Sequence, residues 1–214
     1  MKLQVLVPDS LNEITLGQYQ KFLRVEQSSE QFVAQKMLEI FCSVKLTDAM
    51  SMRIKDVRGI IKHLDDLLNQ QPQLIKKFTL KGQEYGFIPN LDDISFGEYI
   101  DLDTFLGNWD NMHKAMSVLY RPIKNKYGER YNIVPYDVVD AEHLRDMPLD
   151  AVISSLLFFY RLGIDLSRLM TDYLTDQEES RIVQYLNLEK SGVGINQYIN
   201  SLKETLDDLN ISLN

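Results

Sequence analysis

One cysteine, Cys42, and one tryptophan, Trp109, are present among 214 residues. A single thiol excludes an intramolecular disulfide and any multi-cysteine metal site, so nothing here requires an oxidising compartment. Six prolines and ten glycines are too few for low-complexity linkers. No stretch approaches the roughly 18 consecutive apolar residues of a membrane span. Residues 1–8 alternate in polarity over far less than the apolar core of a signal peptide. Basic charge is also short: 23 Lys and Arg stand against 31 Asp and Glu, a formal net charge of -8, which repels phosphate backbones. The expectation is a cytoplasmic protein with no nucleic-acid or membrane partner, ordered except at its very end.

What is present is an ordinary globular balance, 44% hydrophobic and 25% charged, and an internal echo. Val7-Pro8-Asp9-Ser10-Leu11-Asn12-Glu13-Ile14-Thr15-Leu16-Gly17-Gln18-Tyr19 reappears, one residue shorter, as Ile88-Pro89-Asn90-Leu91-Asp92-Asp93-Ile94-Ser95-Phe96-Gly97-Glu98-Tyr99. Thr15 with Gln18, and Ser95 with Glu98, have the spacing of a capping box, in which an N-cap hydroxyl and a side chain three residues on satisfy each other's backbone N–H. Ile14 and Ile94 precede the caps, and the prolines hold the chain extended before them. A second amphipathic helix follows each copy, through Val33, Met37, Ile40, Phe41 and Val44 in the first and Met112, Ala115, Met116 and Leu119 in the second.

The chain therefore reads as mainly α, an α+β fold with minor β, built on a duplicated unit of strand, capped helix and helix. The units span about residues 1–45 and 84–123 within a core covering residues 1–172; residues 173–214 form a C-terminal helical extension. A linking helix over residues 53–70 shows an apolar stripe of Ile54, Val57, Ile60, Ile61, Leu64, Leu67 and Leu68. Hairpins are expected over residues 77–88 and 120–134, with Pro122 and Pro135 at irregular or edge positions. Residues 147–170 form the most buried helix. Thr175 and Glu178 cap the next one, and a last amphipathic helix carries Ile195, Tyr198, Ile199, Leu202, Leu206 and Leu209.

No constellation carries chemistry. His63, His113 and His143 lack metal-ligand spacing within one segment and an identifiable nucleophile partner, so each is read as structural or solvent-facing. Asp92, Asp93, Glu98, Asp101 and Asp103 could in principle bind a divalent cation, which makes a metal-dependent enzyme the rival class. Yet Asp101 and Asp103 do not face each other on a helix, no calcium-loop spacing is present, and a solvated face or partner surface fits better. Gly192-Val193-Gly194 lacks the rest of a dinucleotide fingerprint, and Cys42 suits an inert buried thiol. The expectation is a protein that is not an enzyme and uses neither cofactor nor metal. Aromatic anchors are abundant: Trp109, Tyr120, Arg121 and Tyr136 are the candidates for protein binding, joined by Ile195, Tyr198 and Leu202 on the terminal stripe.

Tyr85-Gly86-Phe87-Ile88-Pro89-Asn90-Leu91-Asp92-Asp93-Ile94-Ser95-Phe96-Gly97-Glu98-Tyr99-Ile100-Asp101 and Met112-His113-Lys114-Ala115-Met116-Ser117-Val118-Leu119-Tyr120-Arg121-Pro122-Ile123 resemble a family of small proteins encoded by tailed bacteriophages of Bacteroidota hosts. Met147-Pro148-Leu149 followed by Phe158-Phe159 also fits, so the resemblance covers roughly residues 78–170. It implies a virion-assembly role: a tail assembly chaperone, preferred, that shields tail or tape-measure proteins in the host cytoplasm, or else a neck or ring subunit that joins the portal in the virion. It supplies no catalytic residues. A homo-oligomer is compatible with either role.

Overall fold

The computed structural model describes residues 5–26, 28–128, 130–137 and 141–175, with side chains up to residue 165. Within it the predicted mainly helical α+β fold is present, with seven α-helices and one four-stranded antiparallel sheet. Both capping boxes form. Thr15 opens α1 (Leu16–Leu23): its hydroxyl accepts from Gln18 N–H at 3.2 Å, while its own N–H donates to Gln18 Oε1 at 2.8 Å. Ser95 opens α5 (Phe96–Phe105) in the same way, with Ser95 N–H donating to Glu98 Oε2 at 2.7 Å.

The echo extends to the backbone upstream. A 3-10 turn precedes each cap, Leu11–Glu13 in the first copy and Leu91–Asp93 in the second. Ile14 and Ile94 are both extended, at φ/ψ of -94°/133° and -62°/123°. The expected strand exists only in the second copy. Residues 5–8 have no regular structure, and Thr15 instead forms an isolated antiparallel bridge with Pro148. The backbone groups flanking Thr15 are thus used by a distant segment rather than by a neighbouring strand.

The second helices are α2 (Glu30–Phe41) and α6 (Met112–Leu119). Val44 lies beyond α2: Ser43 takes the left-handed φ of 54°, and the N–H groups of Cys42 and Val44 both return to Leu38 O, closing the helix end. A short α3 (Leu46–Ala49) leads into α4 (Ile54–Leu68), the linking helix, whose Leu64 and Leu67 are buried. His63 on α4 places Nε2 2.8 Å from Pro8 O and so ties the first segment down.

Both hairpins are present and join in one sheet of order β1-β2-β3-β4. β1 (Lys77–Leu80) turns at Lys81 and Gly82, both at positive φ, into β2 (Gln83–Phe87). β3 (Tyr120–Tyr127) pairs with β2 and with β4 (Arg130–Ile133). Pro122 sits in a central strand rather than at an edge, but at the last pair of the β2–β3 ladder, just before a register shift at Ile123/Asn125. A missing N–H is tolerated where the ladder ends. Gly86 must be glycine: a Cβ there would meet Tyr131 Cε2 at 2.3 Å, and that ring is fixed by its hydroxyl donating to Phe87 O at 2.7 Å.

α7 (Leu149–Thr175) is the central helix. Leu149, Ala151, Val152, Ile153, Leu156 and Leu157 are all fully buried, as are Ser154 and Ser155, so this part of the helix is enclosed on every side. The two serines return their hydroxyls to Ala151 O and Val152 O, which lets polar residues sit in the core at little cost. Thr175 is the last described residue of α7. Glu178 and the terminal helix lie outside the described residues. None of the described helices is long and apolar enough to cross a membrane.

Candidate functional site

The caps place corresponding residues of the two copies in register: Leu16 with Phe96, Gly17 with Gly97, Tyr19 with Tyr99, Gln20 with Ile100. Their surroundings are opposite. Leu16, Tyr19 and Gln20 are 0%, 4% and 2% exposed, whereas Phe96, Tyr99 and Ile100 are 79%, 48% and 45% exposed. What covers the first copy is the segment entering α7. Leu16 N–H donates to Met147 O at 3.0 Å and Leu149 N–H to Ile14 O at 2.8 Å, on either side of the Thr15–Pro148 bridge. A Cβ on Gly17 would touch Arg145 O at 3.1 Å, whereas one on Gly97 would meet nothing within 4 Å. Among the described residues no segment bonds the Phe96 N–H or the Ile94 carbonyl in the equivalent way. Residues 96, 99 and 100 share one helical face, so α5 presents an uncovered apolar ridge.

The opposite face of α5 is pinned by charge. Glu98, 5% exposed, meets Arg121 Nη1 at 2.8 Å while its other oxygen completes the capping box. Burial alone would raise the Glu98 pKa, but the Ser95 hydrogen bonds and the Arg121 charge outweigh it and hold the carboxyl below its ordinary value. Arg121 lies over the Tyr136 ring, 6.0 Å from its centroid, and Tyr136 donates to Asp101 Oδ2 at 2.7 Å. Burial, then that carboxylate, pushes the Tyr136 phenol well up. Two of the acidic residues are therefore committed to structural partners, while Asp92, Asp93 and Asp103 are exposed. Among the described residues no group of three His, Cys, Asp or Glu is placed to hold a metal ion.

A second polar cluster joins α1, α6 and the 3-10 turn Glu142–Asp146. Gln20 donates to Trp109 O and accepts from Arg145 Nη1, both at 2.5 Å; Arg145 Nε also donates to Glu142 Oε2 at 2.6 Å. His113, fully buried, lies 3.0 Å from Glu142 Oε1 through Nε2. Its Nδ1 is buried without a hydrogen-bond partner. Burial, with the Arg145 charge, lowers the His113 pKa despite Glu142. This is a packed polar brace that helps clamp residues 142–149 onto α1.

Of the candidate binding residues, Arg121 and Tyr136 do come together, beneath α5. Trp109 stands apart from them, half-buried with its ring 5.0 Å from Tyr19. Tyr120 is no surface anchor: it is 1% exposed and bonds Ile75 O at 2.8 Å and Ala151 O at 3.2 Å, a core position dictated by the end of α6. Ile195, Tyr198 and Leu202 lie outside the described residues. Residue typing missed Phe96, Tyr99 and Ile100, although a signal existed: α5 carries apolar residues on both sides, and Glu98, Leu102 and Leu106 suffice for the buried one. No protein-family model matches this chain, and no curated protein or solved structure is significantly similar to it.

Proposed function

We infer that the chain acts by binding protein, as an assembly factor of a tailed bacteriophage, with tail assembly chaperone as the preferred role. The observation that carries the binding reading is the apolar ridge of Phe96, Tyr99 and Ile100, which stands on a helix whose other face is locked to the sheet through Glu98 and Arg121. A rigid, uncovered apolar face is a surface suited to helix-in-groove or strap-type recognition. The polar clusters found at buried positions brace the fold and leave no paired nucleophile and base among the described residues.

The phage role rests on the resemblance, and the preference for a chaperone on the net charge of -8, which suits a soluble factor. Tail and tape-measure proteins are the partners this predicts. Quantitative mass spectrometry of purified particles tests it. A chaperone is absent or at trace level, whereas a neck or ring subunit appears in fixed stoichiometry with the portal protein. Stoichiometric presence overturns the chaperone role in favour of the structural one.

A further inference from the structure

Among the described residues, exposed large hydrophobic side chains run together at two places: the ridge of Phe96, Tyr99 and Ile100, and a second patch where α3 leads into α4. In that patch Leu46, Met50 and Ile54 are 52%, 70% and 67% exposed. Met50 N–H donates to Leu46 O at 3.1 Å, so these two stand one helical turn apart, and Ile54 is the first residue of α4. The other exposed ones, Leu6, Tyr127, Val134 and Leu162, stand singly in the sequence.

The two patches carry opposite charge. Lys45 precedes Leu46, and Arg58 stands one turn beyond Ile54 on α4, with Arg53 and Lys55 on either side of Ile54. All four cations are exposed, and among the described residues none takes part in an ion pair. Asp48 and Asp56 in the same stretch are each two residues from an apolar member, a spacing that turns them away from it on a helix. Around α5 the sign is reversed. No Lys or Arg occurs between Lys81 and Lys114. Exposed Asp92 and Asp93 lie before the ridge, and exposed Asp103 continues it one turn further on. Arg121 is on the opposite face of α5, where Glu98 takes its charge.

One patch is thus apolar with cations at both ends, and the other apolar with anions at both ends. Pairing either patch with its own kind opposes like charges, whereas pairing the unlike patches satisfies charge and apolar surface together. Both stand exposed in one chain, so a chain does not cover its own ridge with its own patch. We propose that a second copy of this chain seats its α5 ridge on the α3–α4 patch of the first, with Phe96, Tyr99 and Ile100 against Leu46, Met50 and Ile54 and the carboxylates meeting the cations at the rim. Because the two surfaces differ, the contact is head-to-tail; it leaves one free surface of each kind and propagates into a ring or a filament instead of closing as a two-fold dimer. Three apolar side chains a side fall well short of the ~800 Å² per partner of a standard stable interface, so the contact is reversible and weakened by salt. It occupies the ridge on which the proposed function rests, so a second copy and a foreign partner compete for it. Self-association of the purified chain is measured with no phage component present, and it stands or fails independently of particle mass spectrometry.

Sedimentation velocity of the full chain at low salt, with concentration raised to about 1 mM, reads the association. Ile54→Asp breaks the cationic patch and Phe96→Asp the ridge; each puts its carboxylate at the first residue of a helix, where an anion is favoured, so the fold is retained. The wild-type chain is expected to associate with rising concentration, and either variant to do so at least tenfold more weakly. An equimolar mixture of the two variants is expected to form a one-to-one dimer and nothing larger, because one supplies an intact ridge and the other an intact patch. A wild-type chain that stays monomeric leaves both surfaces to other partners and overturns the proposal. Undiminished association of Ile54→Asp alone, of Phe96→Asp alone, or a mixture no more associated than its components overturns the head-to-tail pairing.

Discussion

The caps of α1 and α5 repeat one another almost atom for atom, and the helices they open have opposite fates. α1 is buried along the face that α5 leaves bare. The polarity of the residues runs against this outcome: the buried position is Gln20 and its exposed counterpart is Ile100. Gln20 is tolerated because Trp109 O and Arg145 satisfy its amide. The cap, the 3-10 turn and the extended isoleucine are short-range features that four or five residues determine. Burial is decided by whatever arrives from elsewhere in the chain, here residues 142–149. The copies thus separate local geometry from tertiary environment, and each can be perturbed alone.

The largest difference is expected at the first helical residue. Leu16→Ala removes a fully enclosed side chain, and a cost of about 4 kcal/mol follows from transfer and residual cavity terms. Phe96→Ala at the matching position deletes a larger side chain, yet is expected to shift the global unfolding free energy by less than about 0.5 kcal/mol. Denaturant midpoints at constant m-value measure both. Similar costs for the two would mean that α5 is covered as tightly as α1 and would remove the basis of the comparison.

Next comes the anchor under α5, which α1 lacks because Gln18 stands where Glu98 does. Arg121→Met leaves the Glu98 carboxylate buried without its cation and is expected to cost about 3 kcal/mol at neutral pH. The pH dependence has a definite sign. The Glu98 pKa is lowered in the folded protein, so its contribution is fully present above the unfolded-state value of about 4.3 and is lost as pH falls through the folded value. The gap between wild type and Arg121→Met therefore narrows as pH falls, beginning where the buried carboxyl of the variant takes up its proton and ending where that of the wild type does. A gap that stays constant down to acid denaturation would show that the ion pair contributes nothing. Gln18→Met, with no buried charge to strand, shows no such pH-dependent gap.

Much of this was legible in the residues because it is local. The S/T-x-x-E/Q spacing, the turn at Lys81-Gly82 and the apolar run of α7 each declare themselves within one window. Hidden in the sequence was every contact made over long separation. Nothing around Thr15 says that its backbone bridge goes to Pro148, so a neighbouring strand was expected in its place. Tyr120 reads as an interface aromatic until α7 and Ile75 close over its hydroxyl. His113 reads as isolated because Arg145 and Glu142 arrive from the turn before α7. The ridge on α5 is visible as surplus hydrophobicity, and the covered copy shows how fully the matching face of α1 is enclosed.

The smallest expected effect bears most directly on whether the copies are equivalent. Thr15→Ala and Ser95→Ala each remove one hydroxyl that accepts from the backbone three residues on, and each is expected to cost on the order of 1 kcal/mol. The reciprocal bond survives in both, since Gln18 and Glu98 still receive the N–H of residue 15 or 95. If the cap is a local device, the two costs agree within about 0.5 kcal/mol although one helix is buried and the other bare. A clear excess at Thr15 would mean that its hydroxyl also supports the Pro148 bridge, so that the first cap depends on the strap above it. Binding discriminates further. Ser95→Ala is expected to retain partner binding at a temperature where the fold is intact, because the ridge begins one residue later and its backbone is held by Glu98 as well. Loss of binding with unchanged stability would place Ser95 in the recognition surface itself, and the cap would then differ between the copies in role as well as in surroundings.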